Sequence, residues 1–223
     1  MPESVVNVLK SIPLFSTAHE DTLAELAPTC IFQSFSAGIE INRVGEVPRF
    51  IYCLRSGSIE GWSRHKSAET IVATAKAPMV FEVTPAMTNQ PSLISIVTRE
   101  PAETLAVTAN SFIKAVKSDP NLCHATLLHT AEVNLIFIDR LLDQKLRTAE
   151  QRLAQWVLAE FDRHGTSSSF NITYSKRALA YELGMSPANL SRLFNVIRDH
   201  GVDLDGKTMR ITDYDKLTAL AHS

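Results

Sequence analysis

The segment NLCHATLLHTAEVNLIFIDRLLDQKL, residues 121–146, constrains the fold of this chain most. It contains no Pro or Gly, the residues that most often interrupt a helix, over about seven helical turns. Apolar residues recur along it at heptad spacing: Leu128, Ala131, Leu135, Ile138 and Leu142. This spacing predicts a long helix with an apolar seam.

The seam has two interpretations: the helix packs on its own domain, or it pairs with a second copy of the chain. Further apolar residues wrap the helix beyond the seam, among them Leu127, Ile136, Phe137 and Leu141. A helix that is apolar on several faces needs several partners. We therefore expect the five seam residues to form a dimer interface.

The region before this helix has a different pattern. From Ile31 to about Val107, short apolar runs such as FIYCL, ETIVA and SLISIVT alternate with Gly and Pro. Short strands broken by turns at nearly even spacing predict a small β-sandwich or roll, with no helix-length periodic stretch inside it.

Helices are expected on both sides of the predicted roll. The N-terminal stretch SIPLFSTAHEDTLAELAPTC predicts a helix capped by Ser16 or Thr17, with Glu20 and Asp21 in its first turn. After the roll, SFIKAVKSDP predicts a short helix that ends before Pro120.

Beyond the long helix, Thr148 and Gln151 have the spacing of a capping box, and Gly165 marks the end of the helix that follows. The run FNITYS, residues 170–175, alternates as a short strand. Its position after a capped helix predicts a separate C-terminal fold.

The stretch KRALAYELGMSPANLSRLFNVIRDHG predicts a helix-turn-helix. A first helix runs from Lys176 to Leu183, and Gly184 supplies the turn. Ser186 is a good N-cap and Pro187 suits the first position of a second helix over residues 187–200. One face of the second helix is apolar, and the other presents Pro187, Ala188, Asn189, Ser191, Arg192 and Asn195.

These residue types suit DNA. A helix fits the major groove, where Arg192 would donate two hydrogen bonds to guanine and Ser191 would contact a base. Ser186 and Lys176 would hold phosphates. The following VDLDGKTMRITD, with its Asp205-Gly206 turn, predicts a β-hairpin wing. The alternative is a helical hairpin with no role in DNA binding.

The charge distribution agrees with a two-part chain. The net charge is −2; residues 1–144 carry 11 Lys and Arg against 15 Asp and Glu, whereas residues 145–223 carry 11 against 9. Only the second part is basic enough to suit a polyanion. Three separated cysteines, no membrane-length apolar run and no secretion signal lead us to expect a cytoplasmic protein.

An enzyme and a pure protein-interaction module are the rival classes. The chain has no P-loop, G-x-S-x-G, HExxH or CxxC motif, and no cluster of His and carboxylates in the predicted strands. We therefore do not expect an enzyme.

The same residues resemble the Crp/Fnr family of bacterial transcription regulators. IPLFSTAHEDTLAELA is similar to the opening segment of that family, FSAGIEINRVGEVPRFIYCLRSGSIEGW to its β-roll, and ALAYELGMSPANLSRLFNVIRDHGV with LDGKTMRITD to its winged helix-turn-helix. The resemblance covers nearly the whole chain and implies an α+β fold.

The implied domains are a β-roll (a jelly roll) sensor over residues 1–118, a dimerisation helix over 119–146 and a winged helix-turn-helix over 147–223. The resemblance further implies a homodimer on a palindromic DNA operator, with RNA polymerase as a partner. It places an effector pocket around Glu82, Leu93, Ile94 and Leu128.

The chain departs from the cyclic-nucleotide members of that family. Its Glu82 lacks the preceding Gly, and Leu93 and Ile94 stand near the expected arginine. A buried phosphate without a cation or amide cradle is costly, so cAMP is not expected. Glu82 itself is expected to be solvated or capped. In the recognition helix of many members a Glu stands where this chain has Ala188.

The same residues bear on the other cofactors of the family. No cysteine cluster precedes Cys30, so a [4Fe–4S] cluster is not expected. Haem, with response to CO or NO, stays open. Its candidate axial ligands are His19, His65, His124, His129, Met79 and Met87. The effector therefore stays unknown.

Overall fold

The computed structural model describes residues 4–66, 68–165, 169–172 and 175–223 and, within them, every side chain except those of His65 and Ala68. The chain divides into two compact units, Met1–Ile136 and Phe137–Ser223. The described residues include no helix with both the length and the apolar character needed to cross a bilayer.

The first unit begins with two short helices, α1 (Val5–Ser11) and α2 (Glu20–Leu26). The predicted cap of α2 is wrong, because His19 rather than Ser16 or Thr17 precedes the helix. The Ser16 hydroxyl instead donates to the Pro13 carbonyl at 2.8 Å and closes the preceding turn.

Two antiparallel four-stranded sheets follow and confirm the β-roll. Strands β1 (Cys30–Phe35), β8 (Ala102–Thr108), β3 (Phe50–Ser56) and β6 (Met79–Phe81) form the first sheet in that order. Strands β2 (Glu40–Asn42), β7 (Ser95–Thr98), β4 (Ser58–His65) and β5 (Ala68–Lys76) form the second. One six-residue helix, α3 (Val83–Thr88), interrupts the strands; it is too short to show a helical period in the sequence.

Strand β3 explains the unbroken apolar run FIYCL. Ile51 and Cys53 pack under the helices of this unit, while Tyr52 and Leu54 pack between the sheets with Phe81. Successive side chains on a strand point to opposite faces, so a strand with both faces buried is apolar throughout.

The roll leads into α4 (Ala109–Ser118) and α5 (Pro120–Leu146). Helix α5 has 27 residues and confirms the predicted long helix. Among its residues only Leu122 and Thr126 are buried within the chain.

The second unit contains α6 (Ala149–Arg163), α7 (Lys176–Glu182), α8 (Pro187–Arg198) and α9 (Tyr214–His222) around a sheet of order β10-β11-β9. The strands are β9 (Ser169–Asn171), β10 (Val202–Asp205) and β11 (Thr208–Ile211). The capping box of Thr148 and Gln151 is present, as predicted. Thr173 and Tyr174, in the second half of the predicted strand 170–175, lie outside the described residues.

Candidate nucleic-acid interface

The turn between α7 and α8 is closed by two backbone hydrogen bonds. The Gly184 amide donates to the Tyr181 carbonyl at 3.0 Å, and the Met185 amide donates to the Ala180 carbonyl at 2.9 Å. Gly184 has a φ of 65°, a left-handed conformation that glycine adopts without a steric penalty. The predicted turn is therefore confirmed.

Helix α8 starts as its sequence predicts. The Ser186 hydroxyl accepts a hydrogen bond from the Asn189 amide at 3.2 Å, and Pro187 lies in the first turn. The first amides of a helix have no partner inside it. The Ser186 hydroxyl satisfies one of them, and Pro187 has no amide hydrogen to satisfy. The helix ends at Arg198, slightly before the predicted end at residue 200.

The inner face of α8 holds the helix pair together. Leu190, Leu193, Phe194 and Ile197 are buried, and they belong to the same core as Leu179 of α7. This core also includes residues from α6, the sheet and α9: Leu153, Val157, Met209 and Leu217. Because the inner face is fixed, the outer face of α8 has a defined orientation on the unit.

The outer face of α8 is polar and accessible. Ser186, Ala188, Ser191 and Arg192 are exposed, and Pro187 and Asn189 are half-buried. The Ser191 hydroxyl donates to the Pro187 carbonyl at 2.9 Å. Arg192 Nη2 donates to Asn189 Oδ1 at 2.8 Å. The structure thus brings the predicted DNA-contacting residues of this helix onto one surface.

Lys176 lies at the start of α7 and is exposed. Its ammonium group is 5.4 Å from the centre of the Phe194 ring, within the range of a cation–π interaction. The contact fixes the lysine beside α8 and leaves a positive charge at the solvent edge.

The predicted wing is a hairpin of β10 and β11. Asp205 pairs with Thr208, so Gly206 and Lys207 form the turn. The prediction named the turn but not Lys207, which is exposed at its tip. The sequence could have indicated this cation, because a lysine directly follows the Asp205-Gly206 pair.

The α5 seam (Leu128, Ala131, Leu135, Ile138 and Leu142) is the second accessible surface. The exposed fraction of the residue is 50% for Leu128, 66% for Leu135, 44% for Ile138 and 48% for Leu142. Ala131 is exposed as well. A contiguous exposed apolar stripe of this kind marks an interaction surface.

Glu82 of the roll differs from its predicted environment. The expectation that Glu82 is solvated is wrong, since the residue is only 8% exposed. Its Oε2 accepts a hydrogen bond from the Ser92 hydroxyl. Burial raises the pKa of the Glu82 carboxyl, and the Ser92 hydrogen bond opposes this in part.

The other predicted effector-pocket residues have different environments. Leu93 is 85% exposed and Leu128 is 50% exposed. Ile94 is half-buried and packs against the cluster that contains Phe81 and Ile96. Of the four residues, Glu82 is therefore the one that is buried in the roll.

The candidate haem ligands lie at separate places. His19 is largely exposed beside Asp119, and His124 is exposed on α5. Met79 packs between the sheets, and Met87 packs against the helical core. The side chain of His65 lies outside the described part. Across the described residues, no three His, Cys, Asp or Glu side chains form a group that would hold a metal ion.

His129 of α5 contacts the roll. Burial lowers its pKa, while the charge of Glu132 and a hydrogen bond to the Val80 backbone act in the opposite direction. The contact links α5 to strand β6, which leads directly into Glu82.

A β-roll followed by a winged helix-turn-helix is the domain arrangement of a class of transcription regulators. Residues 32–119 match the family model of the cyclic nucleotide-binding domain, and residues 151–220 match that of the Crp-like helix-turn-helix domain. The chain belongs to the Crp/Fnr family of transcription regulators.

Solved structures share the fold. A putative transcriptional regulator of the Crp/Fnr family from Eubacterium rectale matches with a TM-score of 0.80 and 15% identity, over 95% of this chain and 98% of that one. A CooA mutant from Carboxydothermus hydrogenoformans matches with a TM-score of 0.72 and 15% identity, over 99% and 97%.

FixK2 from Bradyrhizobium japonicum matches with a TM-score of 0.71 and 19% identity, over 86% of this chain and 96% of that chain. At these identities the likeness establishes the fold and not the ligand. No curated protein gave a significant match.

Proposed function

We propose that the chain is a homodimeric regulator that binds a palindromic DNA operator through α8, and that the roll controls its affinity for DNA. The observation that carries this proposal is the exposed face of α8, where Ser191 and Arg192 lie on a capped helix beside the wing. A helix placed this way inserts into the major groove with its N-terminal part against the base edges.

Each residue of the surface then has a role. Arg192 donates two hydrogen bonds to a guanine, and Ser191 contacts a neighbouring base. Ser186 and Lys176 hold phosphates, and Pro187, Ala188 and Asn189 line the approach to the groove. Lys207 at the wing tip adds a further phosphate contact.

The α5 seam supports the dimer. Two copies joined along this stripe would remove its exposed leucines and isoleucine from water, which is the main favourable term in such associations. A twofold dimer presents two α8 helices to half-sites about 34 Å apart, one turn of DNA. In the cell, the bound dimer would meet RNA polymerase in the cytoplasm.

The residues of the roll do not fit a cyclic nucleotide phosphate. Phe81 precedes Glu82 where the cyclic-nucleotide members of the family carry a glycine, and the Glu82 carboxyl is buried with Ser92 as its hydrogen-bond partner. In the described part of the chain, no arginine or lysine pairs with Glu82. A buried site that offers no cation leaves the charge of a phosphate uncompensated, which is costly. We therefore propose that the effector is not cAMP.

The cysteines do not support an iron–sulfur cluster either. Cys53 is buried in strand β3, Cys30 is half-buried at the start of β1, and Cys123 is exposed on α5. A [4Fe–4S] cluster is typically held by four thiolates, and this chain has three cysteines in total.

DNA binding is tested with the full-length protein and duplexes that it selects from a randomised pool. We expect the logarithm of the affinity to fall linearly and steeply with the logarithm of the salt concentration. Arg192→Ala should weaken specific binding by about 1–3 kcal/mol and relax the preference at one base pair per half-site.

Arg163→Ala is the matched control, because it removes the same charge from an exposed arginine of α6 that pairs with Glu160. This variant should select the same sequences as the wild type. The absence of duplex binding, or unchanged selectivity of Arg192→Ala, would overturn the proposed function.

A further inference from the structure

We propose that Asn189 is a positioning residue for Arg192: its side-chain oxygen holds the guanidinium in the orientation that reads a base, and Asn189 does not itself select one. The inference rests on the proposed function, since it concerns how the same helix face recognises DNA. The contact that carries it is the 2.8 Å hydrogen bond from Arg192 Nη2 to Asn189 Oδ1.

The two residues are neighbours on the helix. They are three positions apart, a spacing that brings side chains together on one face. Asn189 is half-buried, and its backbone amide donates to the Ser186 hydroxyl at 3.2 Å. The acceptor for Arg192 is therefore attached to a part of α8 that the N-cap already fixes.

In the described part of the chain, Asn189 Oδ1 is the one acceptor hydrogen-bonded to the Arg192 guanidinium. Ala188 offers only a methyl group. Over the described residues, no carboxylate lies within ion-pair distance of Arg192. The guanidinium is thus oriented by a neutral acceptor and keeps its full positive charge for the DNA.

Orientation matters because a free arginine side chain has many rotamers, and fixing it on binding has an entropic cost. A guanidinium that is already oriented loses less of this freedom when it forms its two hydrogen bonds to guanine. The bond to Asn189 uses one N–H group of the five that the guanidinium carries, so a pair remains for the base.

The rival role for Asn189 is direct reading of adenine, which would use both its side-chain oxygen and nitrogen. That role requires the oxygen to face the DNA, whereas in the structure it faces Arg192. The two roles predict different base preferences in variants, and this difference makes the proposal testable.

The test measures base preference at every operator position by selection from a randomised duplex pool, with the full-length wild type, Asn189→Ala, Arg192→Ala and the double variant. Asn189→Ala should relax the preference at the same base pair as Arg192→Ala, by about 3- to 10-fold, the effect of one net hydrogen bond. The double variant should be no less selective than Arg192→Ala alone.

Two further measurements separate positioning from other roles. Asn189→Asp keeps an oxygen acceptor at the same place and should keep the base preference, while its added negative charge lowers the affinity for all duplexes alike. The salt dependence of Asn189→Ala should equal that of the wild type, because no phosphate contact is lost. The Ser186 cap should persist in these variants, since it binds the backbone amide of residue 189.

The contrary results are distinct. A preference lost at a different base pair, additive effects in the double variant, loss of the preference in Asn189→Asp, or a shallower salt dependence would each overturn the positioning role while leaving the proposed function in place. If Arg192→Ala leaves every base preference unchanged, the base contact of the proposed function fails, and the role of Asn189 fails with it.

Discussion

At the scale of single residues, the Asp119 carboxylate joins two helices of the first unit. Its Oδ2 accepts from the His19 amide at 2.8 Å, next to α2. Its Oδ1 accepts from the Asn121 and Leu122 amides at 2.9 Å and 3.2 Å, at the start of α5. The side chain is fully shielded from water. One carboxylate thus satisfies amides at both helix starts.

The protonation of Asp119 should control the stability of this junction. Burial raises its pKa, but the hydrogen bonds from the amides of His19, Leu122 and Asn121 and from the Thr22 side chain outweigh burial and hold the pKa below its usual value. A folded-state pKa below the unfolded value, about 3.9, stabilises the protein above that pH. The contribution is lost as the pH falls through the folded-state pKa.

Asp119→Asn keeps the size and an oxygen acceptor but removes the charge. We expect the variant to lose about 2–3 kcal/mol of unfolding free energy at pH 7, because the charge-assisted hydrogen bonds become neutral and the new side-chain nitrogen cannot accept from the amide that it faces. Urea unfolding at pH 7 and near pH 3 measures the difference between variant and wild type. The difference should shrink at the lower pH; a difference that stays constant would contradict the role of the charge.

At the scale of elements, the β3–β4 turn depends on Gly57. Its φ is 88°, and a Cβ there would lie 2.5 Å from the Pro101 carbonyl oxygen and 2.9 Å from the Ala102 Cα. Gly57→Ala should lower the free energy of unfolding by about 2–5 kcal/mol. The loss combines the strain of a left-handed backbone at a residue with a Cβ and the clash of that Cβ with backbone atoms. Thermal or urea unfolding measures the loss.

Gly38→Ala is the control for this variant. Gly38 has a similar φ of 79°, but a Cβ there has no neighbour within 4 Å. It should cost only about 1–2 kcal/mol, the strain of the left-handed conformation by itself. Equal losses in the two variants would show that the close approach to β8 does not matter.

The elements that the sequence predicted correctly are those with local causes. The capping box of Thr148 and the Ser186-Pro187 start of α8 are formed by residues within three positions of each other. The predicted start of α2 was wrong because the side chain that accepts from the amide before this helix, Asp119, lies 100 residues away in the sequence. Distant partners of this kind leave no trace in a local pattern.

The candidate site divides in the same way. The outer face of α8 follows from helical spacing, so its residues were predictable. The burial of Glu82 was not predictable from the sequence. It depends on a hydrogen bond from Ser92, and the chain returns to Glu82 at this residue only after α3. The bond between Asn189 and Arg192 has a visible spacing, but the rotamers that form it belong to the folded structure.

At the scale of the whole molecule, the proposal requires two copies of the chain, and the α5 seam is the surface that joins them. Leu135 lies at the middle of the seam and is 66% exposed in the single chain. Ile136, the next residue, is 54% exposed but lies about 100° around the helix from Leu135. The pair therefore separates the effect of the seam from the effect of adding a charge to an exposed apolar position.

Leu135→Glu should convert the dimer into monomers, because two carboxylates would face each other where two leucines are meant to pack, and burying unpaired charge is costly. Sedimentation velocity measures the mass, and binding to the selected palindromic duplex measures the consequence for DNA, which should weaken to the level of a single half-site. Ile136→Glu should sediment as a dimer and bind the palindrome like the wild type. A Leu135→Glu protein that remains dimeric would show that the copies meet elsewhere, and the exposed seam of α5 would then need another partner.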